Sequence, residues 1–258
     1  MGVINVTPDS FSDGGRFFDT ETAVRHGLAL AHAGAAFLDV GGESTRPGAD
    51  PVGVAEELRR VIPVIERLQG AVSAVISVDT SKPEVMRAAA AAGAGLINDV
   101  RALRAPGALE AAQSSGCAVC LMHMQGEPRT MQAAPAYRDV VGEVRAFLEE
   151  RARACRAAGF SADRLVLDPG FGFGKTLEHN LTLLRHLREL GEGALPVMVG
   201  LSRKSMVGKL TGRPEGERLL GSVVLAVLAA LEGASIVRAH DVASTVEALR
   251  LVAAVRES

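Results

Sequence analysis

Little in this sequence leans toward one sign of charge. Its 28 lysines and arginines stand against 30 aspartates and glutamates, a formal net charge of −2. That balance excludes a general surface for nucleic acid or anionic membrane, since either needs a dense basic face. Cysteine is scarce as well: Cys117, Cys120 and Cys155 make an odd number and no disulfide framework. Cys117-Ala-Val-Cys120, with His123 close behind, invites a metal or redox reading. In a strand, however, an odd offset turns Cys117 and Cys120 to opposite faces, and Cys117 and His123 lie about 20 Å apart at ~3.3 Å per residue. Structural cysteines are expected. Lysine is rare beside arginine, confined to Lys82, Lys175, Lys204 and Lys209, so each lysine next to a loop motif merits inspection.

Long apolar runs are missing too. The longest, Leu219–Leu231, falls short of the ~20 residues of a membrane span. It contains Gly221 and Ser222, is bounded by Arg218 and Glu232, and reads as a buried or interfacial helix. Met1-Gly2-Val3-Ile4-Asn5 runs directly into a polar turn, without the apolar region of a signal peptide, so a cytoplasmic protein is expected. No long linker or composition break divides the chain, and 48% hydrophobic residues supply a large core without metals or disulfides.

What is present is alternation. Candidate strands Val3–Val6, Phe37–Val40, Val75–Val78, Leu96–Asn98, Ala118–Met122, Leu165–Leu167, Val197–Val199 and Ser235–Val237 are continuous β-branched or aliphatic runs, as parallel strands buried on both faces require. Between them lie amphipathic helices at Thr20–Ala33, Val54–Leu68, Glu84–Ala92, Ala108–Ser114, Tyr137–Ala158, Leu177–Arg188 and Gly216–Leu231, and Val242–Val255 closes the chain. Asp19 and Thr20 precede the first helix, Ser81-Lys82-Pro83 opens the third, and Thr176 with His179 opens the sixth. Gly34, Gly70, Gly93 and Gly159 mark helix ends. Eight βα units predict an α/β fold: a single-domain (β/α)8 TIM barrel over residues 1–258, in keeping with the roughly 250 residues such a barrel takes. A doubly wound open sheet is the fallback, and the count of eight decides against it.

In such barrels the chemistry sits at the C-terminal strand ends. Those ends carry Asn5 to Gly15, Asp39 to Gly48, Asp79-Thr80, Asn98-Asp99, Met122 to Gly126, Asp168 to Lys175, Gly200 to Ser205 and Arg238 to Asp241. Any one of these polar residues is more often a helix cap or a solvated side chain than a functional group. Eight such loops converging on one mouth are not explained by capping. Asp79, Asn98 and Asp168 offer acceptors and an amide, and a carboxylate can take two parallel hydrogen bonds from a planar N–H/NH2 edge, such as that of a 2-amino-4-oxo heterocycle, with Lys204 serving the ring oxygen. Arg46, Arg203, Arg238 and His240 can neutralise a diphosphate, and Asn5 offers an oxygen to a hard cation such as Mg2+. The Gly170–Thr176 stretch is a decoy. A phosphate-binding P-loop needs glycine where Pro169 stands, and Leu177 breaks a GxGxxG spacing.

Taken in order, these motifs resemble the dihydropteroate synthases. Residues 1–15 look like the family's first signature, and Gly42-Glu43-Ser44-Thr45-Arg46-Pro47-Gly48 looks like its second. Val78-Asp79-Thr80, Ile97-Asn98-Asp99, Asp168-Pro169-Gly170-Phe171-Gly172-Phe173-Gly174-Lys175, Ser202-Arg203-Lys204-Ser205 and Arg238-Ala239-His240-Asp241 complete the set. The resemblance implies that Asp79, Asn98, Asp168 and Lys204 bind a pterin ring with Arg238 stacked on it. It also implies that Thr45, Arg46, Arg238 and His240 hold diphosphate, that Asn5 contacts Mg2+, and that Pro47, Phe173 and Ser202 flank p-aminobenzoate. Asp79, Asp168, Lys204 and Asp13 on the first loop are the expected catalytic set, with Arg203 counted among the substrate-binding residues. A homodimer and sensitivity to sulfonamides follow by the same resemblance. The rival readings are a related pterin-binding methyltransferase, a Schiff-base aldolase using Lys204, and a non-catalytic pterin-binding relative.

Overall fold

A computed structural model of the chain describes residues 1–7, 20–45, 48–128, 130–190 and 195–257. Eight strands and ten α-helices occur among these residues: β1 Gly2–Asn5, α1 Thr20–His32, β2 Phe37–Gly41, α2 Val54–Leu68, β3 Val75–Asp79, α3 Pro83–Ala91, β4 Leu96–Asp99, α4 Ala108–Ser115, β5 Ala118–Met122, α5 Val140–Ala157, β6 Leu165–Asp168, α6 Leu177–Arg185, α7 Leu187–Leu190, β7 Met198–Gly200, α8 Ser205–Thr211, α9 Leu219–Leu231, β8 Ile236–Arg238 and α10 Val242–Glu257. Strands β1 to β6 pair in sequence order and β7 pairs with β8, all in parallel. Single parallel bridges, Leu167 to Val197 and Gly2 to Ala239, join the two groups into one ring. At these seams Leu167 donates to the Pro196 carbonyl and Ala239 to that of Met1, each at 2.9 Å. The expected eight-stranded barrel is the architecture found.

Outside the ring, strand and helix side chains form one continuous apolar core, including Ile4, Leu38, Val78, Ile97, Leu121 and Leu165. Inside it, Leu96, Cys120, Val166 and Met198 pack with Met1, Phe37, Ala118 and Ile236 into a separate apolar plug. Side chains alternate across a strand. The residue two positions beyond each plug residue therefore also points inward, one layer nearer the C-terminal mouth. Phe37 is followed by Asp39, Leu96 by Asn98, Val166 by Asp168 and Ile236 by Arg238. The barrel is thus dry at its base and polar immediately above it. Cys117 faces the outer core and Cys120 the plug, the opposite-face arrangement expected of structural cysteines. All three cysteines are free and buried.

Helix boundaries differ from expectation where local chemistry overrides periodicity. Helix α5 begins at Val140, later than the expected Tyr137, because Asp139 caps it by accepting from Gly142 N–H at 3.1 Å. Ser81 does not cap α3: Lys82 holds that position, Pro83 follows at the first helical residue, and the Ser81 hydroxyl donates to Asp99 instead. The Thr176–His179 capping box at α6 forms as expected. The segment expected as one helix to Arg188 breaks into α6 and α7 at His186. The expected Gly216–Leu231 helix starts at Leu219, and α8 is an element the sequence reading did not include.

Met198 is fully buried in the plug, and Met198→Ala should lower unfolding free energy by about 2–5 kcal/mol. Urea denaturation measures this, and a loss below about 1 kcal/mol would contradict a tightly packed base.

Candidate active site

Asp39, Ser77, Asp79, Asn98 and Arg238 form one hydrogen-bonded unit above the plug. The Arg238 guanidinium on β8 donates through Nε to Asp39 Oδ2 on β2 at 2.6 Å and through Nη2 to Asp79 Oδ2 on β3 at 3.2 Å. Asp39 also accepts from Ser77 Oγ at 2.6 Å and from Asn98 Nδ2 at 3.0 Å. Having spent its amide nitrogen on Asp39, Asn98 keeps a buried Oδ1 with no hydrogen-bond partner among the described residues. A buried carbonyl oxygen left so is costly unless a ligand N–H meets it. On β6, Asp168 accepts from Gly170 N–H at 2.7 Å.

The loop after β6 is fixed by its own carbonyls. Gly170 and Gly174 take positive φ, 67° and 62°. A Cβ would meet the His123 carbonyl oxygen at 1.9 Å in the first case and that of Gln125 at 2.3 Å in the second, so only glycine fits. Lys204, after β7, donates to the Phe171 carbonyl and holds its ammonium 4.7 Å from the centre of the Phe173 ring. Next to that ring lie Met122, Met124 and Met131, an apolar patch at an otherwise polar mouth.

The loops after β7 and β8 are tied together. Ser202 Oγ accepts from His240 N–H at 3.2 Å and sits 3.1 Å from His240 Nδ1. Arg203, expected among the substrate-binding residues, has its guanidinium engaged by Asp241, with Nε 2.9 Å and Nη2 2.5 Å from the carboxylate oxygens. Its backbone is left-handed at φ 59°, and its N–H donates to Ser222 Oγ at 2.9 Å. The structure therefore gives Arg203 a bracing contact with Asp241. Thr45 and Asn5 are partly exposed at the ends of β2 and β1. Asp13, Arg46 and Pro47 lie outside the described residues.

Sequence reasoning passed over Asp39, Lys82 and Lys175. Asp39 is fully buried at the centre of the floor network. It lies inside the β2 run, where inward parity with Phe37 was the signal. Lys82 donates to both Glu43, in the loop after β2, and Glu57, on α2. Lys175, set aside with the P-loop decoy, is 3% exposed. No cluster of three or more metal-ligating His, Cys, Asp or Glu side chains occurs among the described residues.

Removal from water sets the protonation of this layer. Burial, reinforced by the charge of Asp39 and opposed by Arg238, holds the Asp79 carboxyl well above its ordinary range. Burial raises Asp168 too, opposed chiefly by Lys204. It also lowers the Lys204 amine to about 8, against the pull of Asp168. The floor is acceptor-rich, with a donor and an aromatic wall at one side. That arrangement suits a flat ring with an amino edge and an oxo edge, not a carbonyl awaiting amine attack, because the Lys204 nitrogen is engaged by the Phe171 carbonyl.

Fold and floor together define a barrel enzyme that reads a planar heterocycle, and the family model described as pterin binding enzyme matches residues 1–240. The Escherichia coli K12 dihydropteroate synthase is 56% identical over 254 residues, covering 98% of this chain and 90% of that protein. A Yersinia pestis dihydropteroate synthase in a sulfonamide drug complex superposes with a TM-score of 0.96 at 52% identity, covering 100% of this chain and 94% of that one. A Xanthomonas albilineans dihydropteroate synthase with 4-aminobenzoic acid gives 0.94 at 57%, covering 100% and 92%. The chain belongs to the pterin binding enzymes and, among them, to the dihydropteroate synthases.

Protonated Lys204 is the form that the charge of Asp168 favours, and in that form it has hydrogens to donate. Its charge is lost as pH rises through about 8, so affinity for a pterin should fall across that range. Lys204→Arg should remove the decline because guanidinium stays charged. Calorimetric titration at a series of pH values tests this, and a parallel decline in the arginine variant would refute it.

Proposed function

We infer that the chain joins 6-hydroxymethyl-7,8-dihydropterin diphosphate to p-aminobenzoate, giving 7,8-dihydropteroate and diphosphate, a step of folate biosynthesis. The observation that carries this reading is the Asp39–Asn98–Arg238–Asp79 floor with its unpartnered Asn98 Oδ1, inside a chain of the dihydropteroate synthase family. Asp79, Asn98, Asp168 and Lys204 bind the pterin, and Phe173 and Ser202 flank the aryl amine with Pro47. Arg238, committed to two floor carboxylates, serves the ring more directly than the diphosphate. The anion then falls to Thr45, Arg46 and His240.

The reaction breaks the bond between the hydroxymethyl carbon and the diphosphate oxygen and forms a carbon–nitrogen bond to the amine, which gives up one proton. An electron-rich dihydropterin stabilises positive charge at that carbon, so we favour departure of diphosphate before attack. We assign to Asp168, whose ionisation Lys204 favours, the negative charge that opposes that growing cation, with Asp13 added by the family resemblance. Asp79, held well above its ordinary range, serves the ring as a hydrogen-bonding group. An aryl amine is neutral at pH 7 and needs no strong base. Mg2+ is part of the reading. Among the described residues Asn5 would offer it an amide oxygen, a donor that fits an ion held mostly by substrate phosphate oxygens and water. When bound, Mg2+ supplies charge neutralisation to the leaving diphosphate.

No helix among the described residues is long and apolar enough to cross a membrane. Neither a diphosphate nor a carboxylate crosses a bilayer unaided, which supports a cytoplasmic location. A homodimer is supported by α9 and α10, which leave Leu219, Leu220, Val224, Leu228, Leu251 and Val255 exposed on packed neighbouring helices. Leu220→Glu should convert a dimer to monomer in light scattering, and an unchanged mass would remove α9 from the interface.

Diphosphate release should require both pterin diphosphate and p-aminobenzoate, and should slow when Mg2+ is withheld. Release without the amine would defeat the assignment. In the same assay Asp168→Asn should lower kcat about 10²–10³-fold. An unchanged kcat would remove Asp168 from catalysis.

A further inference from the structure

Between Gly170 and Gly174 five consecutive carbonyls each accept a hydrogen bond from a side chain. Lys204 takes Phe171, Gln132 takes Gly172 and Tyr137 takes Gly174. The remaining two, Gly170 and Phe173, both go to Lys175 Nζ at 3.0 Å. The same nitrogen meets His123 Nδ1 at 2.9 Å. A protonated amine has three hydrogens, and here three acceptors lie within 3.0 Å, with the His123 carbonyl farther off at 3.5 Å. Lys175 is 3% exposed, and among the described residues no carboxylate pairs with it directly. It sits behind Asp168, whose charge partly offsets the burial that draws the amine down to about 7. Three of the loop's five residues are glycine, and of the side chains on its carbonyls only that of Lys175 grips two.

We propose that Lys175 is the positioning residue for the aryl amine: by gripping the Gly170 and Phe173 carbonyls against His123, its ammonium sets where the Phe173 ring stands at the mouth. The inference rests on the reading that Phe173 flanks p-aminobenzoate. A compact ammonium suits the role because three acceptors converge on one point, which the flat fork of an arginine cannot reach together. Of the pterin-binding residues, Asp79, Asn98 and Arg238 stand on β3, β4 and β8 and bond to Asp39 or to each other, not to this loop. Only Asp168 and Lys204 touch it, through the Gly170 N–H and the Phe171 carbonyl. Loosening the loop should therefore fall on one substrate more than the other.

The test is Lys175→Met, with steady-state kinetics in p-aminobenzoate at saturating pterin diphosphate and calorimetric binding of pterin diphosphate alone. The KM for p-aminobenzoate should rise about tenfold or more, as misplacement of a substrate-positioning group does. Pterin diphosphate affinity should stay within about threefold of the parent. Loss of folded protein alone would lower kcat and leave that KM unchanged, and such a result overturns the proposal, as does an equal loss of affinity for both substrates. Should Lys175→Met fail to fold, His123→Leu removes one of the three acceptors. A rise of about threefold in the same KM supports the proposal, and an unchanged value overturns it. Phe173→Ala separates the two layers of the argument. If it leaves the p-aminobenzoate KM unchanged, the amine site itself is misassigned. If it raises the KM and Lys175→Met does not, only the positioning role fails.

Discussion

The site depends on one arginine held between two aspartates inside a barrel. Asp39 and Asp79 are brought within reach of Arg238 by β2, β3 and β8. Placing carboxylates directly above a dry plug carries a large desolvation cost, and the guanidinium offsets it by bonding both. Arg238 also opposes the rise that burial and the charge of Asp39 impose on the Asp79 carboxyl. The rest follows from the constraint. Ser77 and Asn98 fill the remaining valences of Asp39, and Asn98 is thereby turned so that its oxygen faces away from the network.

Around this floor the rim is assembled from cross-loop ties. Ser202 links β7 to His240, Arg203 links it to Asp241, and Lys82 joins the β2 loop to α2. The β6 loop is held through peptide carbonyls and close glycine contacts with the loop after β5. The floor network and the stapled wall thus draw mainly on different strands, with Asp168 at the end of β6 adjoining both.

Much of this was legible in the chain. Eight apolar runs gave the strands to within a residue or two, because parallel strands buried on both faces leave a continuous signal. Asp79, Asn98, Asp168, Lys204 and Arg238 were visible because polar residues at strand ends need a reason to be there. Asp39 was not singled out, since it lies within a strand and its inward direction follows only from parity with Phe37. Lys175 was passed over because its glycine neighbours resemble a phosphate loop, and rejecting the motif removed the lysine from view. Arg203 looked like an anion ligand by type, but its pairing with Asp241 depends on a left-handed turn that composition does not announce. Helix starts such as Val140 depended on which of several polar residues capped, a contest decided by local hydrogen bonds.

A wall whose frame is made of peptide oxygens has a consequence for how such a protein can change. The hydrogen bonds that hold this loop run through its backbone and not through the side chain at position 173, so single substitutions there can alter what the mouth admits while the carbonyl net survives. Gly170 and Gly174 have no comparable latitude, pressed as they are on the backbone of His123 and Gln125. Selection for discrimination between similar aryl compounds would therefore find room at the face of this loop and almost none along its spine.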